Sequence, residues 1–139
     1  GVCDACKTGD TLALDALDEF MQEEIYQMMI ATTQDQDELI LENTTTLKIA
    51  RWWDRACDII PCNGGKDVAI QKVLDFYNFN KNEAMAFGDG GNDISMLKYV
   101  GTGVAMGNAK DSVKAIADYI TDSVQEDGIV SALKHFEVI

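Results

Sequence analysis

Apolar and polar residues alternate differently in the two halves of the chain. In residues 1–62 the spacing of apolar positions switches between helical and strand periods. The predicted elements are, in order, a helix over 11–20, a strand over 26–31, a polar-faced helix over 34–42, and one long or broken strand over 47–60. Thr11 is a plausible cap for the first helix, Leu39 should face inward, and Pro61, the only proline, closes this part.

Residues 63–139 alternate more regularly between short apolar runs and amphipathic segments. The predicted elements are helices over 67–77, 93–99, 112–117 and 128–136, and strands over 84–87, 103–106 and 119–120. Strands alternating with helices imply right-handed crossovers and a parallel sheet. So few short strands make a poor parallel sheet, because such strands need neighbours on both sides. We therefore predict that this part is half of a larger core domain.

A glycine-rich turn directly follows the apolar run 84–87 and carries Asp89, Asn92 and Asp93. Open α/β sheets bind ligands at the carboxyl ends of their strands, where Asp89 is expected. Carboxylate oxygens on a tight turn suit Mg²⁺, and an amide such as Asn92 can hold a phosphate oxygen or orient a water. Asp93 has three candidate roles: capping the next helix, ligating the metal, or pairing with a lysine.

Lys66 is a second candidate, since it follows two glycines and opens the helix over 67–77. Its ammonium could neutralise a phosphoryl group and a carboxylate attacking it. Taken alone, Lys66 is more often simply an exposed lysine in a first helical turn.

Other motifs with glycine-rich loops do not fit. An EF-hand loop counted from Asp89 would place Ile94 and Val100 where glycine and glutamate are required. A Walker loop needs serine or threonine after its lysine, whereas Asp67 follows Lys66. The dinucleotide fingerprint fails near Gly103, because its last glycine comes one place late.

Composition narrows the class of protein. The 139 residues are 47% hydrophobic, enough for a buried core, and the formal net charge is -13. This acidity argues against a nucleic-acid surface but leaves room for a local cationic pocket. No apolar run of about 18 residues predicts a membrane span, and no signal sequence is visible, so a cytoplasmic protein is expected. Because no initiator Met is present, the chain is expected to begin inside a longer reading frame or after processing.

The four cysteines, Cys3, Cys6, Cys57 and Cys62, have spacings that leave two interpretations open. A closed four-sulfur zinc site is one, but the separation of Cys57 and Cys62 by four residues fits it poorly. Reduced cysteines in a cytosolic protein are the better interpretation.

The order of these motifs resembles the haloacid dehalogenase (HAD) superfamily. The segment Gly-Gly-Lys66-Asp, an amphipathic helix, and Phe87-Gly-Asp89-Gly-Gly-Asn92-Asp93 carry the resemblance. The segments Gly103-Val-Ala-Met106-Gly-Asn108-Ala and Thr121-Asp122-Ser123…Asp127-Gly128-Ile129 are similar to its Cof-type sugar-phosphate phosphatase branch. The implied fold is α/β: a partial Rossmann-like core over 63–139, with parallel strands and flanking helices, and the remainder of an α/β cap domain over 1–62.

The resemblance implies a Mg²⁺-dependent phosphatase that acts on small phosphorylated metabolites through an aspartyl-phosphate intermediate. In that family the lysine matched by Lys66 stabilises the phosphate and the nucleophile. Asp89 matches the Mg²⁺ ligand and Asn92 the phosphate contact. Asp93 matches the acid that supports the metal site or holds the lysine.

The chain departs from the family at its nucleophile. The family places it in a D-x-D-G-T segment after the first core strand, and this sequence offers only the faint echo Gly9-Asp10-Thr11-Leu12. We therefore expect the C-terminal part of a longer enzyme, inactive alone. Its free sheet edge should drive self-association or association with the missing N-terminal segment.

Three alternatives remain open. One is a truncated, non-enzymatic metal-binding or interaction module, and another is phosphomutase or phosphonatase chemistry in the same superfamily. The third is a contact between the cap and a sugar phosphate, made by Arg51, Trp52, Trp53 and Arg55. Packing of these residues within the cap is the favoured interpretation.

Overall fold

The computed structural model describes residues 24–139, which form two three-stranded sheets. The helix predicted over 11–20 and the pair Cys3 and Cys6 therefore lie outside the described residues. The strands are β1 (Met28–Ile30), β2 (Leu47–Trp53), β3 (Ala56–Pro61), β4 (Met85–Gly88), β5 (Thr102–Ala105) and β6 (Tyr119–Ile120). The α-helices are α1 (Asp37–Leu41), α2 (Lys66–Tyr77), α3 (Ile94–Tyr99), α4 (Asp111–Lys114) and α5 (Gly128–His135), with 3-10 turns at Gln34–Gln36, Lys81–Glu83, Gly91–Asp93 and Val124–Glu126.

The first sheet is antiparallel, with β3 between β1 and β2. Strand alternation buries Cys57 and Ile59 on one face of β3. Of the two forms predicted over 47–60, the one long strand is wrong and the break is present, because the chain reverses at Asp54 and Arg55 to form the β2–β3 hairpin.

Helix α1 covers one end of this sheet through Arg51. The Arg51 guanidinium donates to the carboxylate of Asp37 and to the carbonyl oxygen of Thr32, the latter at 2.8 Å. Arg51 therefore ties the helix to β2. Leu39, which was predicted to face inward, is 70% exposed, because α1 is only five residues long and buries none of them.

The second sheet is parallel, in the order β4-β5-β6, and it confirms the predicted α/β class. The buried residues of its core come from β4, β5 and the helices and loops around them. They are Ala86, Leu97, Val100, Ala105, Ala109 and Val113. Among the described strands β4 stands at the sheet edge.

The two sheets meet where β2 faces the turn after β4. A Cβ atom on Gly91 would lie 2.8 Å from the carbonyl oxygen of Arg51, so only glycine permits this approach. The ammonium of Lys110 pairs with the carboxylate of Asp54 at 3.1 Å across the same junction. The domain border at residue 62 stays a prediction, and it falls in the loop between β3 and α2.

None of the helices in the described range is both long and apolar enough to cross a membrane. Cys57 and Cys62 carry free thiols, the first buried and the second exposed. Burial raises the pKa of the Cys57 thiol, so it stays protonated at neutral pH.

Candidate functional site

The site begins where β4 ends, at Gly88. A Cβ atom there would lie 2.6 Å from the Cβ of Asp93, so glycine lets the turn fold back over the strand end. The 3-10 turn Gly91–Asp93 then leads directly into α3. The glycines of this turn therefore place Asp93 over the carboxyl end of the strand.

Asp93 is buried, with 5% of its surface exposed, and both of its carboxylate oxygens are used. Oδ2 accepts from the backbone N–H groups of Asp89 and Gly90, each at 3.0 Å. Oδ1 accepts from the ammonium of Lys66. Burial alone would raise the pKa of Asp93, but the hydrogen bonds from Lys66, Gly90 and Asp89 and the Lys66 charge outweigh it and hold that pKa below its usual value.

Lys66 is the first residue of α2, and its side chain remains 49% exposed. Its contact with Asp93 joins residues 27 positions apart and so connects the start of α2 to the turn after β4. Of the three roles considered for Asp93, the structure displays the pairing with a lysine. Its side chain makes no capping hydrogen bond to α3.

Asp89 is exposed at the rim of the turn. Its Oδ2 accepts from the side-chain N–H of Asn108 at 3.0 Å, and Asn108 Oδ1 accepts from the backbone N–H of Val124 at 3.1 Å. Asn108 therefore fixes the direction of the Asp89 carboxylate. The sequence places Asn108 in a segment that resembles the Cof-type branch but assigns it no role, although Asn108 follows β5 and Asp89 follows β4.

Asn92 and Lys66 line a cavity of about 580 Å³ between the antiparallel sheet and the starts of α2 and α3. The antiparallel sheet forms its roof, with Lys48 on β2 and Asp58 on β3. Asp89 and Asp93 are not among its lining residues, so the acids lie beside the cavity rather than in it.

These residues fit Mg²⁺ only in part. Within residues 24–139 no three His, Cys, Asp or Glu side chains are grouped so that they could hold a metal. Asp89 keeps one carboxylate oxygen without a hydrogen bond from the described residues, whereas Asp93 uses both of its oxygens. Asp89 can thus supply one of the six oxygen ligands that Mg²⁺ prefers. A metal role for Asp93 stays a prediction.

Comparison with known proteins identifies the family. A family model described as haloacid dehalogenase-like hydrolase matches residues 9–133. The Bacillus subtilis (strain 168) protein YkrA is 40% identical over 116 residues, which cover 84% of this chain and 45% of YkrA.

Two solved structures share the fold of the described chain. The HAD subclass IIB sugar phosphatase BT4131 superimposes with a TM-score of 0.81 at 40% identity, over 88% of this chain and 47% of that one. BT1666 from Bacteroides thetaiotaomicron superimposes with a TM-score of 0.82 at 37% identity, over 88% and 46%. The chain thus spans less than half the length of these relatives. The family model matches this chain over most of its length, and the chain is similar in sequence and fold to two HAD phosphatases. The chain therefore belongs to the haloacid dehalogenase-like hydrolases.

Proposed function

We propose that the chain supplies the lysine, asparagine and metal-ligand side of a Cof-type phosphatase that hydrolyses small phosphorylated metabolites, chiefly sugar phosphates. The observation that carries this proposal is the hydrogen-bonded group of Lys66, Asp93 and Asp89 at the end of β4. The side chains of Lys66 and Asn92 line a cavity beside that group, and its volume is large enough to hold a small metabolite. The likeness to the sugar phosphatase BT4131 supports the choice of substrate class.

Each side chain has a task in this proposal. The ammonium of Lys66 attracts the phosphoryl oxygens and reduces their repulsion of an attacking carboxylate. The side-chain amide of Asn92 donates to a phosphoryl oxygen, and Asp93 holds Lys66 in position. Asp89 offers its open oxygen to Mg²⁺, and the bound metal would draw charge from the phosphoryl group. The aspartate that would form the phosphoenzyme lies outside these residues.

Magnesium binding tests the role of Asp89. We expect Asp89→Asn to weaken Mg²⁺ binding about 10-fold or more in a calorimetric titration, because it removes a charged ligand. Asp75→Asn, an exposed acid on α2, is the matched control and should change nothing. Equal Mg²⁺ affinities of wild type and Asp89→Asn would contradict the assignment.

A phosphatase assay tests the proposed inactivity of the isolated chain. We expect no metal-dependent turnover of a phosphate ester, since the chain has the lysine and the metal ligand but no D-x-D-G-T segment. Turnover that both Asp89→Asn and a chelator abolish would overturn this part of the proposal.

No other described strand pairs with the outer edge of β4, and we propose that another strand pairs there. Beside it lies an apolar groove of about 320 Å³ that includes Val73, Leu74 and Met85, and Val73 is 55% exposed. An unpaired edge next to apolar surface favours association with the N-terminal segment of the enzyme or with a second copy. Sedimentation that finds a monomer at every concentration of the isolated chain would count against self-association.

The acidic composition, with a net charge of -13, also supports a cytoplasmic location as part of this proposal. Fractionation of cells that produce the protein tests it.

A further inference from the structure

The floor of the cavity, formed by the starts of α2 and α3, is held together by two side-chain contacts. One is the ion pair of Lys66 with Asp93, which the proposed function already uses. In the other, the hydroxyl of Ser95 donates to Oδ1 of Asp67 at 3.2 Å, and the two residues are 28 positions apart. Asp67 follows Lys66 directly, and both members of this second pair line the cavity. The two helix starts are therefore joined twice, side by side.

Gly65 gives the Asp67 carboxylate room to reach α3. A Cβ on Gly65 would lie 2.9 Å from Oδ1 of Asp67, the same oxygen that accepts from Ser95. Gly65 also has a φ of +128°, a backbone conformation that residues with a Cβ rarely adopt. A larger residue would push the carboxylate away from its partner. The glycine before Lys66 therefore permits the second contact as well as the turn.

A carboxylate at position 67 has a cost if the cavity holds a phosphate. Asp67 is half-buried and adjacent to Lys66 in the chain, so its negative charge opposes the attraction of that lysine for phosphoryl oxygens. An acid in the first turn of α2 is favoured by the helix dipole. The dipole explains an acid in this turn, but it does not explain a hydrogen bond to a second helix. The role of Asp67 is therefore to be found in its contact with Ser95.

The distance between Lys66 and Asn92 depends on how α2 lies against α3, because Asn92 belongs to the 3-10 turn that leads into α3. Two glycines precede α2 and permit many backbone conformations. The ion pair with Asp93 restrains the ammonium at the tip of the Lys66 side chain. The pair of Asp67 and Ser95 restrains the first turn of α2, where that side chain begins. Together the two contacts hold both ends of the lysine.

We propose that Asp67 and Ser95 are positioning residues, which hold the start of α2 against α3. They thereby keep Lys66 and Asn92 within reach of the same phosphoryl group. This inference rests on the proposed phosphatase function. Asp67 and Ser95 do not contact the phosphoryl group themselves, since they act through the placement of their neighbours. Such placement favours the transition state, because charges arranged in advance need no reorganisation during the reaction.

Steady-state kinetics of the protein as its gene encodes it, with Mg²⁺ present, test the inference. Ser95→Ala removes the hydrogen bond without changing any charge, and the variant should fold because Ser95 is exposed. We expect kcat to fall about 10-fold with KM almost unchanged, since the lost placement matters mainly in the transition state. Ser95→Thr keeps the hydroxyl and should recover most of that loss.

The dependence on Lys66 separates positioning from a purely structural role. In a Lys66→Met background, Ser95→Ala should lower kcat only about 2-fold, because no ammonium remains to be positioned. The loss in the background that keeps Lys66 should be equal for p-nitrophenyl phosphate and glucose 6-phosphate, which share only the phosphoryl group. A loss confined to one ester would mean that Ser95 contacts the organic group, and it would overturn the inference.

The matched control is Ser112→Ala, an exposed serine on α4 outside the cavity, which should keep the wild-type kcat. An unchanged kcat in Ser95→Ala, or the same factor in both backgrounds, overturns the inference and leaves the phosphatase function intact. A wild type that hydrolyses neither ester rejects the proposed function, and the inference is then rejected with it.

Discussion

The parallel and antiparallel sheets present their polar groups to the cavity region in opposite ways. At the end of β4, Asp93 accepts three hydrogen bonds and Asp89 is fixed by Asn108. On the roof, Lys48 and Asp58 have no such partners within the described chain. The parallel sheet holds these charges in a single arrangement, whereas Lys48 and Asp58 stay available on the antiparallel sheet, unlike Arg51 on the same sheet, which Asp37 and Thr32 hold.

In the proposed function, this difference corresponds to two separate requirements of a phosphatase. Phosphoryl transfer needs charges held in position before the substrate arrives, since reorganising them would raise the barrier. Recognition of an organic group needs side chains whose hydrogen bonds the ligand itself completes. We infer that substitutions in the roof change the substrate more readily than they change the chemistry.

The largest expected effect is on the turn after β4. Gly88→Ala should lower the free energy of unfolding by about 3 kcal/mol, because its Cβ would overlap Asp93. Urea unfolding followed by circular dichroism measures it. Gly64→Ala in the loop before α2 is the control, with a nearest contact of 3.2 Å, and should cost about 1 kcal/mol or less. Equal losses would mean that the turn is not tightly packed.

Next in size is the energetic coupling of two ion pairs. A double-mutant cycle of Lys66→Met with Asp93→Asn should give a coupling energy of about 1–2 kcal/mol. This energy is smaller than that of a fully buried ion pair, because Lys66 is half-exposed. The same cycle for Lys110→Met with Asp54→Asn should give almost none, since Asp54 is 87% exposed. An equally large coupling energy for Lys110 and Asp54 would show that the burial of Asp93 does not cause its strong coupling to Lys66.

A smaller effect is expected from Asn108, which contacts Asp89 rather than a ligand. Asn108→Ala should weaken Mg²⁺ binding about 10-fold, because the Asp89 carboxylate loses its orienting hydrogen bond. Calorimetric titration measures the change, with Asn82→Ala as an exposed control. An unaltered affinity would show that Asp89 needs no orientation.

The smallest effect should have the opposite sign. Asp58→Val should raise the free energy of unfolding by about 0.5–1 kcal/mol, because valine suits a central strand better than an unpaired carboxylate. Urea unfolding of the variant measures this change in free energy. Ala50→Val, at the position paired with Asp58, shows how much of the gain comes from adding a valine rather than from removing the carboxylate. Destabilisation by Asp58→Val would imply that the carboxylate has a structural partner.

Local signals explain what the sequence predicted well. Glycines and apolar runs placed β4 and α2 within one residue of their observed bounds, because turns and short buried strands are set by neighbouring residues. The same signals indicated Lys66, Asp89 and Asn92, whose catalytic roles stay predictions. The resemblance to the HAD family is confirmed by the family match.

Features that depend on distant contacts were missed. The β2–β3 turn uses Asp54 and Arg55, with no glycine, asparagine or proline to indicate it. Without that hairpin, no register could place Lys48 and Asp58 on one face. The contact of Asn108 with Asp89 joins residues 19 positions apart, and it exists only because β4 and β5 are neighbours.

Gly91, whose missing side chain lets the turn approach the carbonyl oxygen of Arg51, has a consequence for how such a protein can change over time. Because a Cβ at this position would overlap a backbone atom, the position has no room to vary while the two sheets stay in contact. The exposed pair Lys110 and Asp54 at the same junction has no such restriction. We expect mutations to accumulate at that pair long before they are accepted at Gly91.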